Sequence, residues 1–166
     1  MKKTSIQGFT LIEMLIVIAV ISILAGIVLV GITGFQESAR DTKRIGDLRS
    51  VQNSLELFYT RCGHYPTNGA GCGGADAQSV SWNDLANSFV GANIISGSTK
   101  MPSDPKGVSE YEYGYGDSGF SYVLKATLEG PNSAMDDSQE IDSSTGFSGN
   151  IDCVDANYGY CIGSSN

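Results

Sequence analysis

The chain has 166 residues, of which 41% are hydrophobic, and a formal net charge of -8. From Asp76 onward, thirteen acidic residues stand against three basic ones, so the surface of this part repels polyanions. Nucleic acid is therefore disfavoured as a partner, and the length leaves room for one domain of modest size.

An apolar run of 22 residues extends from Phe9 to Val30, behind a short leader that carries Lys2 and Lys3. This length predicts a transmembrane helix over residues 9–30. A secretory signal peptide would have an apolar core of about 7–15 residues and a small-residue cleavage site behind it, which this sequence lacks. A plain single-pass anchor fits the length, but it explains neither Gly8 before Phe9 nor the acid at Glu13.

Glu13 is the only charged residue in the apolar run. A buried acid near the start of a membrane helix costs about 2.5–3.5 kcal/mol, so it requires a partner that neutralises it. Residues 8–13 read Gly-Phe-Thr-Leu-Ile-Glu and closely resemble the class III signal of type IV pilins and pseudopilins. The resemblance implies that a prepilin peptidase removes residues 1–8, cutting between Gly8 and Phe9, and then methylates the amine of Phe9.

The same resemblance implies the function, which is that of a structural subunit of an extracellular type IV pilus-like filament. Glu13 would pair with the amine of a Phe9 during assembly. The implied partners are identical subunits in a helical homopolymer, the prepilin peptidase, an inner-membrane assembly platform with its ATPase, and membrane lipid before assembly. The protein would span the membrane once and then join a surface filament or a periplasmic pseudopilus.

Two alternatives stay open within this family. One is a pseudopilin of a type II secretion system, and the other is a minor pilin for adhesion or DNA uptake. The helix cluster Arg40, Lys43, Arg44 and Arg49 could contact phosphates, but acids are interleaved with it and the distal domain is acidic.

Residues 31–62 predict an amphipathic continuation of the first helix, because no proline precedes Pro66 and Gly63 gives a C-cap signal. Apolar residues recur there every three or four positions, at Ile45, Leu48, Val51, Leu55, Phe58 and Tyr59. On the other face, opposite charges lie three or four residues apart and predict a solvated surface, in the pairs Glu37 with Arg40, Asp41 with Arg44, and Lys43 with Asp47.

Residues 63–166 predict a small globular domain with a short helix, a hairpin and a loop-rich C-terminus. Ser81 is the predicted N-cap of the short helix, which shares Trp82, Leu85 and Phe89 on one face. Alternating residues from Tyr111 to Leu128 predict a hairpin around residues 116–119, with Phe120 on the same face as Tyr122. A third strand is predicted around residues 158–162. The fold class is thus α+β, a long helix packed on a small antiparallel sheet.

Two further segments show weaker similarity to pseudopilins. Residues 65–67 and 102–107 are similar to the Tyr-Pro-Thr and Asp-Pro-x-Gly segments of the major pseudopilin of type II secretion systems. The chain differs from many type IV pilins at Val30, where they have a helix-kinking proline. A C-terminal cysteine pair resembles true pilins instead, so pilus and pseudopilus both remain open.

Four cysteines, Cys62, Cys72, Cys153 and Cys161, lie in the half that would be exported to an oxidising compartment. They predict disulfides rather than a zinc site, because no Cys-x-x-Cys occurs and the chain has one histidine. The pairing that closes the shortest loops joins Cys62 to Cys72 and Cys153 to Cys161.

A cluster of acids in the C-terminal region is a candidate calcium site, since calcium takes six to eight oxygen ligands. Major pseudopilins, which the chain resembles, hold calcium in their C-terminal loop. The candidate ligands are Asp136, Asp137, Glu140, Asp142, Asp152 and Asp155. No enzyme is predicted, because His64 stands beside a glycine and has no evident nucleophile for a triad.

Overall fold

The computed structural model describes residues 8–69, 71–73, 80–97, 101–107, 111–136, 141, 146–149 and 151–164, without the side chains of 28–33 and 155. The elements in chain order are α1 (Leu11–Cys62), α2 (Trp82–Gly91), β1 (Glu112–Gly116), β2 (Ser121–Thr127) and β3 (Gly159–Ser164). The predicted α+β class is confirmed. The chain divides into two compact units, Met1–Glu37 and Ser38–Asn166.

The first unit contains the start of α1, whose described apolar side chains from Phe9 to Ile27 are all exposed. Ser22 donates its hydroxyl to the carbonyl of Ile18 at 2.7 Å, so the helix satisfies this polar side chain internally. Within the described part of the chain, no helix has the combination of length and apolarity that crossing a membrane requires.

The second unit, Ser38–Asn166, which we call the outer unit, is built around the last turns of α1. Leu48, Val51, Leu55 and Phe58 are buried there, on the predicted stripe, and they pack into one cluster with the sheet. The helix ends where Gly63 adopts φ +77°, and the Gly63 amide donates to the carbonyl of Tyr59 at 2.8 Å. A left-handed glycine of this kind is the common end of a helix.

The short helix α2 begins as predicted. The hydroxyl of Ser81 accepts from the amide of Asp84 at 3.2 Å, and the Asp84 carboxylate accepts from the amide of Ser81 at 3.3 Å, a reciprocal capping box. Leu85 and Phe89 are buried on its inner face, and the Phe89 ring centroid lies 6.2 Å from that of Phe58. The helix therefore packs directly on α1.

The three strands form an antiparallel sheet in the order β1-β2-β3, with Leu124 opposite Tyr113 on one side and Ile162 on the other. The alternation in the sequence describes only one face of this sheet. Val123 points to the other face and is also buried, beneath Ile151 and Cys153. The prediction that Phe120 shares the inner face with Tyr122 is wrong: Phe120 lies in the turn before β2 and is 55% exposed.

Two core tyrosines of the sheet region, Tyr111 and Tyr122, bond acids of α1 through their hydroxyls. Tyr122 donates to the Glu56 carboxylate on α1 at 3.1 Å, and Tyr111 donates to Asp47 at 2.9 Å. Buried phenol groups need such partners, because an unpaired hydroxyl loses its hydrogen bonds with water. The helix and the sheet are thus joined by polar bonds as well as by apolar contact.

Six charged residues form what we call the Arg44 network: Arg40, Asp41, Arg44, Asp104, Lys106 and Glu129. Its centre is the Arg44 side chain, which is 2% exposed. Arg44 Nε lies 2.6 Å from Asp104 Oδ1, and its Nη1 lies 2.7 Å from Asp41 Oδ1 and 3.1 Å from Glu129 Oε1. The prediction that Asp41 and Arg44 form part of a solvated helix face is therefore wrong.

The rest of the network binds the end of β2 to α1. The Glu129 carboxylate accepts from Arg40 at 2.5 Å and from the ammonium of Lys106 at 3.0 Å. The backbone amide of Glu129 donates to Asp41 at 3.0 Å. Three positive and three negative charges balance, which is the condition under which charged groups are tolerated away from water.

We predict that Arg44→Ala destabilises the outer unit by about 3–5 kcal/mol, because it leaves buried carboxylates without their counter-charge. The measurement is denaturant unfolding of the full chain in detergent micelles. Lys43→Ala is the matched control, since Lys43 is the adjacent residue and is exposed. Equal unfolding free energies for the two variants would contradict this role of Arg44.

A second prediction concerns acid. The hydrogen bond from Arg40, followed by that from Lys106, holds the pKa of Glu129 well below its ordinary value of 4.5. Because the folded pKa is the lower one, this stabilisation is complete above about pH 4.5 and is lost as the pH falls toward the folded pKa. Glu129→Gln should melt below the wild type at pH 7, and the difference between the two melting temperatures should narrow as the pH falls from 4.5 to 3. A constant difference between them would show that the charge of Glu129 is not responsible.

Candidate functional site

The candidate site is the start of α1, where Thr10 precedes the first helical residue, Leu11. The Thr10 amide and hydroxyl donate to Glu13 Oε2 at 2.7 and 2.6 Å. In return the Glu13 amide donates to the Thr10 hydroxyl oxygen at 3.3 Å. This is a capping box, in which two side chains satisfy amides that the first helical turn leaves without a partner.

The capping box fixes Glu13 at the third position of the helix and keeps its carboxylate close to the chain start. A carboxylate has about four lone-pair positions, and the bonds to Thr10 use one oxygen, Oε2. Within the described part of the chain, Thr10 is bonded to Oε2 and leaves Oε1 without a hydrogen bond. The positive end of the helix dipole at the same place also favours a negative side chain there.

Apolar surface surrounds this carboxylate on the same helix. Phe9 is 80% exposed and Leu11 is 84% exposed, and the exposed apolar residues continue to Ile27. Contiguous apolar surface of this extent is unusual on a protein that stays alone in water, and it marks a surface that binds lipid or other proteins. Among the described residues, no atom lies within 4 Å of where a Cβ of Gly8, just before this surface, would be.

Thr10 was not among the site residues predicted from the sequence. The signal that could have found it is the pattern of a threonine followed three residues later by a glutamate, ahead of an apolar run. The family resemblance indicated only the amine of a Phe9 as the partner of Glu13. In the structure the carboxylate already has a partner in Thr10, through two hydrogen bonds within its own chain.

The four cysteines lie in the outer unit and form two local disulfides. Cys62 is bonded to Cys72, which ties the end of α1 to the following loop. Cys153 is bonded to Cys161, which ties the segment before β3 to the strand itself. These are the pairs that close the shortest loops, and each constrains a segment next to a core element.

The candidate calcium ligands are only partly within the described residues. Asp137, Glu140 and Asp142 lie outside them, as does the side chain of Asp155. Asp136 is exposed, and Asp152 caps a turn, with its Oδ1 accepting from the Val154 amide at 3.2 Å. Among the residues that the structure describes, no group of three or more candidate ligands could hold a metal ion. Calcium stays a prediction based on the resemblance.

His64 and the basic helix cluster are accounted for by local structure. His64 Nδ1 lies 2.8 Å from the carbonyl oxygen of Tyr65, and the His64 ring packs edge-on against Phe58. Arg40 and Arg44 bind carboxylates of the Arg44 network, so they do not present a basic surface to phosphates. These contacts hold His64, Arg40 and Arg44 within the fold of the outer unit.

Comparison with known proteins agrees with the geometry of the N-terminus. A family model described as the prokaryotic N-terminal methylation motif matches residues 3–29. The type II secretion system core protein G of Escherichia coli K12 is 29% identical over 131 residues, which cover 79% of this chain and 88% of that protein.

Two further relatives carry the same name. The protein of Vibrio cholerae is 35% identical over 72 residues, and that of Aeromonas hydrophila is 34% identical over 71 residues. Each alignment covers 43% of this chain and about half of the relative, 49% and 50% respectively. No solved structure is significantly similar to the chain.

The matched motif, residues 3–29, includes the capped acid at the start of the exposed apolar helix. The chain is thus similar to type IV pilins and type II secretion pseudopilins, in its N-terminal motif and in the relatives that it matches.

Proposed function

We propose that this protein is a structural subunit of a type IV pilus-like filament, a helical homopolymer assembled through its N-terminal helix. The observation that carries the proposal is Glu13, a single carboxylate at the start of an exposed apolar helix. Apolar helices bundled together would exclude water, and one charge per helix then needs one opposite charge per helix. The amine of Phe9, released by cleavage after Gly8, supplies it.

Before assembly, the apolar residues 9–30 hold the subunit in a membrane with its outer unit on the far side. The capping box lets the lone subunit tolerate Glu13 there, because Thr10 satisfies part of the carboxylate. The partners in this scheme are a prepilin peptidase, a membrane assembly platform with its ATPase, lipid, and further copies of the chain. The disulfides suit the outer unit for an oxidising compartment.

The second candidate is a pseudopilin of a type II secretion system. The names of the relatives favour it, and the alignment with the Escherichia coli protein extends beyond the N-terminal motif. Both candidates use the same assembly chemistry and differ in the filament's length and place. A major subunit of long surface filaments dominates the protein that shearing releases from cells, whereas a pseudopilin does not.

We predict that assembled subunits begin at Phe9. N-terminal sequencing of protein from sheared filaments should read Phe-Thr-Leu-Ile-Glu. Gly8→Leu should leave the leader attached, because a bulky side chain meets the peptidase where glycine left the backbone open. Gly46→Leu, on an open helix face, is the control and should be processed. Filaments that retain Met1 to Gly8 would refute the proposal.

We also predict that Glu13→Gln is processed and folds its outer unit but gives few filaments in cells without a native copy. Removal of one partner of a buried ion pair costs about 3–5 kcal/mol, because the other charge is left uncompensated. Thr10→Val keeps the carboxylate and removes the hydroxyl, which costs the helix start only about 0.5–2 kcal/mol.

The two variants separate charge pairing from helix capping. If Glu13 acts between subunits, Thr10→Val assembles far better than Glu13→Gln. If both variants fail equally, Glu13 acts through its cap alone, and the pairing hypothesis is wrong.

A further inference from the structure

We propose that neighbouring subunits contact each other through a specific pair of surfaces on the outer unit. The tip of the β1–β2 hairpin, residues 117–120, inserts into a groove beside Leu57 on a second copy of this chain. The proposal rests on the proposed filament, and it adds which outer surfaces meet in it.

The groove, which we call the Leu57 groove, is formed by α1 and the segment that follows α2. Its lining residues are Leu57, Thr60, Arg61, Asn93 and Ile94, and its volume is about 390 Å³. Leu57 is 59% exposed, so a large apolar side chain on the core helix faces solvent. Pockets of about 300–1,000 Å³ are the usual size for the burial of a bound group.

Arg61 gives the groove a fixed positive charge. Its Nη1 donates to the carbonyl of Asn93 at 3.0 Å and also to that of Ala92. These bonds hold the guanidinium at the edge of the groove and use a single nitrogen, whereas a guanidinium has five N–H donors. Within the described part of the chain, Arg61 forms no ion pair with an acid, so its charge is available to a ligand.

The hairpin tip carries an apolar ring and a negative charge, which complement the apolar and positive parts of the groove. Phe120 is 55% exposed, and Asp117, three residues before it, is exposed as well. The Phe120 amide donates to the Asp117 carbonyl at 3.3 Å, which closes the turn. On its inner side the tip is anchored because the Tyr65 amide donates to the Gly119 carbonyl at 2.7 Å. Phe120 is thus held outward on a fixed turn.

The backbone of the tip adopts positive φ at two residues that are not glycine. Asp117 and Ser118 have φ of +48° and +57°, a region that side chains other than glycine rarely adopt. Strain of this kind persists where the surrounding structure enforces it, and it is concentrated at binding sites. Here its effect is to place an aromatic ring and a carboxylate side by side on the surface.

The charge of the chain favours a second copy as the occupant. At a net charge of -8, identical subunits repel one another on average, so each close contact needs a local opposite charge. Asp117 of one copy against Arg61 of the next supplies it, and Phe120 covers the apolar side chains of Leu57 and Ile94. The two surfaces differ, so the contact is heterologous and repeats from copy to copy, as a helical polymer requires.

The first test is photo-crosslinking of full-length protein in cells that assemble filaments. A benzophenone amino acid replaces Phe120, which conserves an aromatic ring at the tip. We expect a dimer of this chain in which position 120 is joined to the tryptic peptide 50–61 or to residues 93–94. The same probe at Tyr158, another exposed aromatic residue, is the control and should not label these segments.

The second test is an exchange of charges. Asp117→Arg and Arg61→Asp should each reduce filament yield roughly tenfold, which corresponds to about 1.4 kcal/mol at each contact. The double variant restores the attraction with its sign reversed and should return to within about twofold of the wild type. Leu57→Ser should also reduce assembly, and it should not impair folding because Leu57 is exposed in the free unit. Val154→Ser is the control: Val154 is also exposed but lies outside the groove, so this variant should assemble normally.

Protease resistance of the unassembled, membrane-bound pool shows that each variant is folded. Crosslinks to another protein, or to a different segment of this chain, would overturn the contact, as would a double variant no better than the single ones. Each of these results leaves wild-type filaments intact. A wild-type chain that forms no filaments would instead refute the proposed function.

Discussion

The buried guanidinium of Arg44 is the constraint on which the outer unit depends. A charged group with 2% exposure is stable only with its counter-charges in place, and those come from α1, from the loop at Asp104 and from the end of β2. A helix displaced by one turn would leave Arg44 facing apolar side chains without a partner. Apolar contacts alone are tolerant of such a shift, so the network sets the axial register of α1 against the sheet.

This register has consequences for the hydroxyl groups of the sheet. Tyr111 reaches Asp47 and Tyr122 reaches Glu56 only when the helix lies at one height. The two acids lie nine residues apart on α1, two and a half turns of helix, and so the polar bonds occur at both ends of the same packed stripe. Apolar burial drives the docking, and the acids on the helix select the position.

The two units of the chain have different properties. Its first unit contains the apolar run 9–30, in which Glu13 is the only charged residue, a composition suited to bundling with copies of itself. Its second unit is acidic, tied by local disulfides at Cys62 and Cys153, and presents the hairpin tip and the Leu57 groove. The helices alone would allow subunits to rotate about their axes, whereas a directional contact between the outer units limits that rotation.

The sequence by itself determined the elements and the assembly signal. Periodicity located the buried stripe of α1, Ser81 marked the start of α2, and residues 8–13 showed the family resemblance, because each of these signals is contained in a few neighbouring residues. Tertiary structure alone decided the burial of Arg44 and the exposure of Phe120. Opposite charges three residues apart look the same on a solvated face and in a core, and the difference lies in Asp104 and Glu129, which are 60 and 85 residues away from Arg44. Likewise, an alternating pattern of apolar residues does not show where a strand begins. The turn that keeps Phe120 out of β2 is held by the hydrogen bond from the Tyr65 amide to the Gly119 carbonyl, and Tyr65 is distant in the sequence.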